Sequence, residues 1–321
     1  MFVETKMLTY ACICSKYQIC TATWDLKMES VSVDSIPLKQ SGKDRPMMAL
    51  QAKFCLPSNR TLPVLVVGSN TNALIYDIKD RKIMASVPLD SPQDAIDVRL
   101  VEETFRFSRG ISCVENFIIV GAHTGELLIF NCSSENNISV KKSLMEHKHP
   151  IADVATCAFD LITASVDVNG LAIVWNKNMK TILKKINTGQ SVSCCNVLRK
   201  QVLIGNFLGQ VLFYSVQSGE LMAEVNAHSR MVSSIAVAPE SAYVLTAGED
   251  SYIRIWKLHT RKPEAYQVEF RHGEQLPNIP ISGAQFINGR GSGFAVAAYD
   301  YSKLFLYKIA KKPAAVPPAT T

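Results

Sequence analysis

The 321-residue chain contains no Cys-x-x-Cys spacing, although it holds nine cysteines. Zinc ribbons and redox dithiols depend on that spacing, so neither is expected. Most of the cysteines lie inside apolar runs such as SVSCCNV, where a thiol serves as a small buried hydrophobe. The pair Cys12 and Cys14 is what alternation along a strand would produce. An odd count of this kind fits a reducing compartment better than a disulfide framework. No run approaches the roughly 18 apolar residues of a membrane span. The stretch MFVETKMLTYACICSKYQIC is interrupted by Glu4, Lys6 and Lys16, so it is not expected to be a secretory leader. The Asn-x-Ser/Thr triplets at Asn59, Asn131 and Asn137 are then expected to be fortuitous. Dense basic blocks are missing as well. The longest is Lys311–Lys312 with Lys308 close by, in a chain of net charge +6. No nucleic-acid partner is expected.

What the sequence has is a series of short apolar runs separated by tight turns. With 47% hydrophobic residues it has material for a substantial core. Residues 226–258 read NAHSRMVSSIAVAPESAYVLTAGEDSYIRIWKL. They hold three runs, Val232–Ala238, Tyr243–Ala247 and Tyr252–Leu258, split by Pro239-Glu240 and by Gly248-Glu249-Asp250. β-Branched and aromatic runs punctuated by Pro, Gly and Asp are strand and hairpin signals. The pattern recurs, with runs that close on Tyr76, Phe130, Trp175, Tyr214, Trp256 and Tyr307, at intervals of 54, 45, 39, 42 and 51 residues. A period near 40 to 45 with short strands in each unit is the propeller-blade signature. The two longest intervals hold insertions. Residues 91–110 leave room for a turn of helix. Residues 261–280 include AYQVEF, read as a strand, and then a Pro-rich loop. Residues 1–33 read as two or three strands outside the repeat pattern, and 34–48 as a polar loop with two prolines. The Trp24-Asp25 dipeptide has no repeat pattern around it and carries little weight. Residues 311–321, rich in Pro and Ala, read as a disordered tail.

Units opened by a His and closed by an aromatic after a tight Asp turn resemble WD repeats. Over about residues 50–308 the chain is identified as a member of the WD-repeat β-propeller family. The resemblance implies one all-β domain over residues 1–310. Six repeats span 50–310, and N-terminal strands and a loop fill 1–49. Seven blades are expected, with six as the alternative. The sixth unit has no fourth strand of its own, so the ring is expected to be closed by an N-terminal strand, VETKMLTY, laid beside it. The resemblance also implies a hydrogen-bonded tetrad inside a blade. His228, Thr246, Asp250 and Trp256 fill all four places. His147, Ser165, Asn169 and Trp175 fill them in part. His147 precedes Trp175 by 28 residues, as His228 precedes Trp256. Asn169 stands at the acid's place, with Asp167 close by. The other four units have Tyr or Phe for Trp and no matching His.

A His, an Asp and a hydroxyl also suggest a nucleophile triad, and His147-Lys148-His149 a metal pair. Thr246 lies mid-strand, however, where burial is expected, and no third ligand is spaced near the two histidines. No catalytic residue, metal or cofactor is therefore expected. INGRGSGF, residues 287–294, lacks the G-K-S/T ending of a phosphate loop. Glu102-Glu103 reads as a solvated loop and Glu249-Asp250 as a turn.

In the family, loops on one face of the ring bind peptides and proteins. By register the candidates here are His123, Pro150, Val168, Phe207, Arg230, Met231, Glu249 and Asp300. The implied function is a non-catalytic scaffold in the cytoplasm for a protein or peptide partner. One alternative is an enzyme with its active site in the channel, which needs converging acids or histidines there. Another is a structural subunit of a larger or self-associated complex, with residues 91–110 as a contact.

Overall fold

The structure is a computed structural model that describes residues 2–5, 8–25, 30–38, 47–89, 107–259 and 266–309. Among these residues every regular element is a strand, and no helix is long and apolar enough to cross a membrane. The strands form seven antiparallel sheets. Blade 1 holds β1 (Phe2–Glu4), β2 (Leu8–Cys14), β3 (Gln18–Asp25) and β4 (Val31–Pro37). Blade 2 holds β5 (Ala49–Cys55), β6 (Val64–Ser69), β7 (Asn72–Asp77) and β8 (Lys82–Pro88). Blade 3 holds β9 (Ser108–Val114), β10 (Phe117–Ala122), β11 (Leu127–Ser134) and β12 (Asn137–Leu144). Blade 4 holds β13 (Ile151–Cys157), β14 (Ile162–Asp167), β15 (Leu171–Trp175) and β16 (Ile182–Asn187). Blade 5 holds β17 (Val192–Leu198), β18 (Gln201–Asn206), β19 (Gln210–Ser215) and β20 (Leu221–Asn226). Blade 6 holds β21 (Val232–Ala238), β22 (Tyr243–Gly248), β23 (Tyr252–His259) and β24 (Gln267–Gln275). Blade 7 holds β25 (Ile281–Phe286), β26 (Gly293–Ala298) and β27 (Leu304–Lys308).

Composition explains the order within a blade. Second strands such as VLVVGS, FIIVGA and QVLIGN are buried along their whole length and read as unbroken apolar runs. Outer strands such as ILKKIN and LMAEVN face water on one side and alternate. The core is therefore divided into clusters between neighbouring blades. One fills the gap between blades 4 and 5, another that between blades 6 and 7. The closing aromatics share one register, each opposite the second residue of the second strand, as with Trp175 opposite Thr163 and Trp256 opposite Val244. Each packs on the preceding blade.

Several expectations need correction. The ring is not closed by a strand of VETKMLTY laid on the last sheet. β1 pairs with β2 inside blade 1, and blade 7 has three described strands. Closure is by packing: Trp24 and Ala11 of blade 1 are buried against Ala295, with Ile287 and Leu304 beside them. Trp24 thus matters far more than its flanking sequence suggests. It sits opposite Thr9, the second residue of β2, which is the closing aromatic's register. The polar stretch from residue 34 is not all loop, since Asp34–Pro37 belongs to β4. An outer strand needs no apolar run, and Pro37 ends it where a missing N–H costs little. The strand predicted as AYQVEF runs later, from Gln267 to Gln275, and supplies blade 6 with its outer strand. Of the insertion at 91–110, read as leaving room for a turn of helix, residues 91–106 lie outside the described residues and Ser108–Gly110 belong to β9 instead; the tail at 311–321 also lies outside them.

Candidate functional site

In blade 6 the indole Nε1–H of Trp256 donates to Thr246 Oγ1 at 3.0 Å, and Thr246 Oγ1 lies 2.9 Å from His228 Nε2. His228 Nδ1 lies 2.9 Å from Asp250 Oδ1. An indole only donates and a carboxylate only accepts, so the chain has one consistent polarity. The Thr hydroxyl donates to Nε2, and Nδ1–H donates to Asp250. The imidazole is then neutral. Burial pushes the His228 pKa down, and the attraction of Asp250 only partly opposes it. Burial works against ionisation of Asp250, but the hydrogen bond from His228 and the amides of Ser229 and Tyr252 outweigh it and hold its carboxyl below the usual range. Thr246 is fully buried, so its hydroxyl is not exposed as a nucleophile.

Blade 4 builds the same chain with Trp175, Ser165 and His147. Trp175 Nε1 donates to Ser165 Oγ at 2.9 Å, and Ser165 Oγ lies 2.7 Å from His147 Nε2. Its acid is Asp167, not Asn169: His147 Nδ1 lies 3.0 Å from Asp167 Oδ2, and Asn169 is exposed. The reason is local. Asp167 is the last residue of β14, and its Oδ1 accepts the amides of Asn169 and Leu171, both at 3.1 Å, bracing the turn. Asn206 does the same at the end of β18, accepting from Leu208 and Gln210 at 3.0 and 2.8 Å. In blade 6 the corresponding place is Gly248. A side-chain carbon there would come within 2.7 Å of His228 Nδ1 and 2.9 Å of Asp250 Oδ1. The carboxylate arrives instead from two residues further on. Each His is also seated by a glycine in the turn of the preceding blade, Gly125 for His147 and Gly209 for His228, both at φ 87°. A side-chain carbon at either glycine would run into the carbonyl of that His.

Most of the residues expected on the partner face share one rim. Backbone bonds join each turn between second and third strands to the loop that enters a blade: Val168 N to Pro150 O at 2.9 Å and Glu249 N to Met231 O at 3.0 Å. His123 bonds in the same way to Phe107, and Phe207 to Ser191. In blade 7 the register residue is Tyr299, bonded to Pro280 O at 2.8 Å, so Asp300 is one position late. Tyr299 is 72% exposed, Phe207 51% and its neighbour Leu208 73%. Between these aromatic groups lies a polar cavity of about 390 Å³ whose lining includes Arg230, Glu249, Asn278 and Pro280. A larger, mostly apolar cavity of about 450 Å³ lies away from the rim, between blades 1 and 2.

The model of the WDR54 family matches residues 11–309 of this chain. The chain belongs to that family. It is 33% identical over 295 residues to WD repeat-containing protein 54 of Homo sapiens, covering 86% of this chain and 85% of the relative. It is 32% identical over 298 residues to WD repeat domain 54 of Rattus norvegicus, covering 87% and 86%. The fold resembles a chain of the mitotic checkpoint complex, with TM-score 0.72 and 14% identity over 97% of this chain and 87% of that one. It also resembles the WD40 repeats of RRP9, with TM-score 0.69 and 14% identity over 97% and 88%.

In this family member the inner strands carry polar groups that the repeat pattern does not announce. Gln51 accepts the Gly110 amide of the next blade at 2.7 Å, and Asp153 accepts the Cys195 amide at 3.0 Å. Arg109 donates to the Ala152 and Ser193 carbonyls at 2.7 and 2.9 Å, and Asn196 to Ile235 at 2.8 Å. These bonds link blade 2 to 3, blade 3 to 4 and 5, blade 4 to 5, and blade 5 to 6. Asp153 has its carboxyl pushed up by burial, which the Cys195 amide and the Lys53 and Arg109 charges oppose. Farther out, buried Arg60 pairs with Asp77 at 2.9 Å and bonds to Glu135 of blade 3. Among the described residues no group of three or more His, Cys, Asp or Glu is placed to hold a metal. The only readable signal for this stitching is a polar residue near the start of each inner strand, and solvated positions give the same signal.

Proposed function

We propose that this chain is a non-catalytic scaffold that docks a protein or peptide partner on the rim of blades 5 to 7. Proteins of the WD-repeat family are generally non-catalytic scaffolds, and family membership suggests that role here. The observation that carries the finer reading is the arrangement of Phe207 and Leu208, then Arg230 and Glu249, then Tyr299 on one continuous face. Two exposed apolar anchors flank a notch holding both charges, the composition of an interface centre with polar specificity beside it. The buried hydroxyls of Thr246 and Ser165, and polar inner-strand groups already bonded to neighbouring backbone, support the non-catalytic half of the reading. The reading also places the protein in the cytoplasm, where its nine free thiols stay reduced. The test compares the proteins captured from cells by wild type and by a Phe207→Asp, Tyr299→Asp double variant. Both positions are solvent-exposed, so folding should be retained. Loss of a defined partner is expected, and an unchanged partner set with a still-folded variant would sink the placement.

A further inference from the structure

Blade 7 differs from the other six in that no described strand lies outside its third strand. In blades 1 to 6 the third strand is covered by β4, β8, β12, β16, β20 and β24. No described strand pairs with the outer edge of β27, and its Leu306 is 50% exposed. Backbone direction follows from one bond. The Ile309 amide donates to Ser292 O at 2.9 Å, toward β26. Successive residues of a strand alternate, so Tyr307 and Phe305 also turn their N–H and C=O toward β26, while Lys308, Leu306 and Leu304 turn theirs outward. A row of outward donors and acceptors is a template for another strand.

The two walls beside that edge differ in chemistry. Leu306 pairs with Ala295, which is packed against Trp24 of blade 1, so Leu304 and Leu306 face blade 1. Trp24 and Ala22 pair across the sheet with Val31 and Val33, which therefore lie on the same face of blade 1. Val31 is 59% exposed and Val33 71%, because blade 7 has no described outer strand to cover them. On the other side stands β24 of blade 6. Its Glu274 pairs with Ile253, whose side chain lies in the core shared with blade 7, so Glu274 faces β27. Burial, and then the charge of Glu274, push the Tyr307 hydroxyl up. Glu269, two places from the bulge in β24, pairs with Lys257 on that same side, but Arg271 and His259 already hold its carboxylate at 2.8 Å, so Glu274, 3.5 Å from His272, is the carboxylate that faces a partner.

We infer that the outer edge of blade 7 is a second docking site, which completes the sheet with an extended segment of a partner protein in which valine-like and basic residues alternate. Side chains of an added strand point alternately to its two faces. The apolar set covers Val31, Val33 and Leu306, and the basic set meets Glu274. The main-chain ladder supplies affinity and the two walls supply sequence preference. Residues 310–321, AKKPAAVPPATT, are poorly suited to the role, since Pro313, Pro317 and Pro318 have no N–H for a ladder. The site is independent of the rim proposed above and does not share residues with it.

The probe is a labelled peptide of about seven residues, a usual strand length, alternating Lys and Val. Its binding to the full chain is followed by fluorescence anisotropy. It should bind at least about tenfold more tightly than a peptide of the same composition in blocks, and than an alternating Glu/Val peptide. Leu306→Pro removes an outward N–H and no bond to β26, so it should keep the fold and reduce binding by about tenfold or more. Methylating the peptide amides along one edge gives the same test with no change to the protein: one edge should abolish binding and the other leave it intact. Glu274→Lys should shift the preference toward the Glu/Val peptide. Equal binding of the alternating and block peptides, or binding untouched by amide methylation on either edge, overturns the inference. Self-association by light scattering that Leu306→Pro abolishes would assign the edge to a second copy and overturn it too. A Leu306→Pro chain that melts several degrees lower without peptide, together with no peptide binding to wild type, would assign the edge to the chain's own residues and have the same effect. A change in binding with Phe207→Asp and Tyr299→Asp would instead point to the rim.

Discussion

Blades 4 and 6 build the same His, hydroxyl and Trp chain and receive their carboxylates from different places. In blade 4 the acid is the last residue of the second strand, Asp167. In blade 6 that place is Gly248, and Asp250 reaches back from the turn. What the two share is the position of the oxygen against His Nδ1, at 3.0 and 2.9 Å. Geometry is retained where residue spacing is not. Both acids hold their His and accept two amides, Asp167 those of Asn169 and Leu171 and Asp250 those of Ser229 and Tyr252. Asp167 is the more enclosed, with 1% of its side chain exposed against 4%. The acid in blade 6 is reached by the partly exposed Arg254 at 3.3 Å, so its surroundings are less closed.

The sharpest way to break the comparison is to remove both acids in turn. Asp167→Ala leaves the His147 Nδ1–H and two turn amides without their acceptor. At 1 to 3 kcal/mol for each buried unsatisfied group, partly relieved by relaxation, a loss of about 3 kcal/mol is expected. Asp250→Ala should cost about half as much, because water reaches the site from the Arg254 side. Chemical denaturation of the two variants measures the difference. Equal losses, or a larger loss at Asp250, would show that access of water from the Arg254 side does not relieve the orphaned groups.

A smaller effect is expected from Gly248→Ala, about 2 kcal/mol, the usual range for overpacking. The added carbon must displace His228 or Asp250. Combining it with Asp250→Ala removes one of the two obstacles, so the double variant should be less destabilised than the sum of the singles. Additive losses would mean that Gly248 is needed for some other reason.

These two blades also show how much of the fold and of the network was legible. The three runs of 232–258 became β21, β22 and β23 with ends within a residue of those read from the sequence. Buried strands announce themselves through apolar runs. The complete tetrad was legible because its spacing matches the repeat. Counting the register from Trp256 to Asp250 points to Asn169 in blade 4, whereas an acid two residues earlier, Asp167, reaches that blade's own His147. No repeat pattern surrounds Trp24 in the sequence, because the cross-strand partner that fixes its register, Thr9, lies 15 residues away. The stitching by Gln51, Arg109 and Asp153 stayed hidden for a similar reason: each bond crosses from one blade to another, and separation along the chain carries no trace of it.

Acidification is expected to weaken both blades without altering any residue. Burial holds His147 and His228 below the ordinary imidazole value of 6.5 in the folded chain. The unfolded chain therefore takes up these protons first. Stability from the two histidines is complete above 6.5 and is lost as the pH falls below it toward their folded values. Asp250, also held low, adds a loss in the carboxylate range. A His147→Gln, His228→Gln double variant should flatten the slope of stability against pH just below 6.5. A slope unchanged in that variant would show that the neutral imidazoles do not govern the acid response.

The smallest effect decides most directly between the two assignments of the acid in blade 4. Asn169 is exposed, and its amide N–H is the donor to Asp167. Replacing its side chain leaves that donor in place. Asn169→Ala should therefore change stability by no more than about 0.5 kcal/mol, the usual range at a surface position without a special role. Were Asn169 the group that holds His147, the same change would orphan a buried Nδ1–H and cost at least about 1 kcal/mol. The pH profile of the variant separates the cases a second time. With Asp167 in place His147 keeps its partner and the slope below 6.5 is that of wild type, whereas loss of the partner would remove the attraction that opposes burial and steepen the decline.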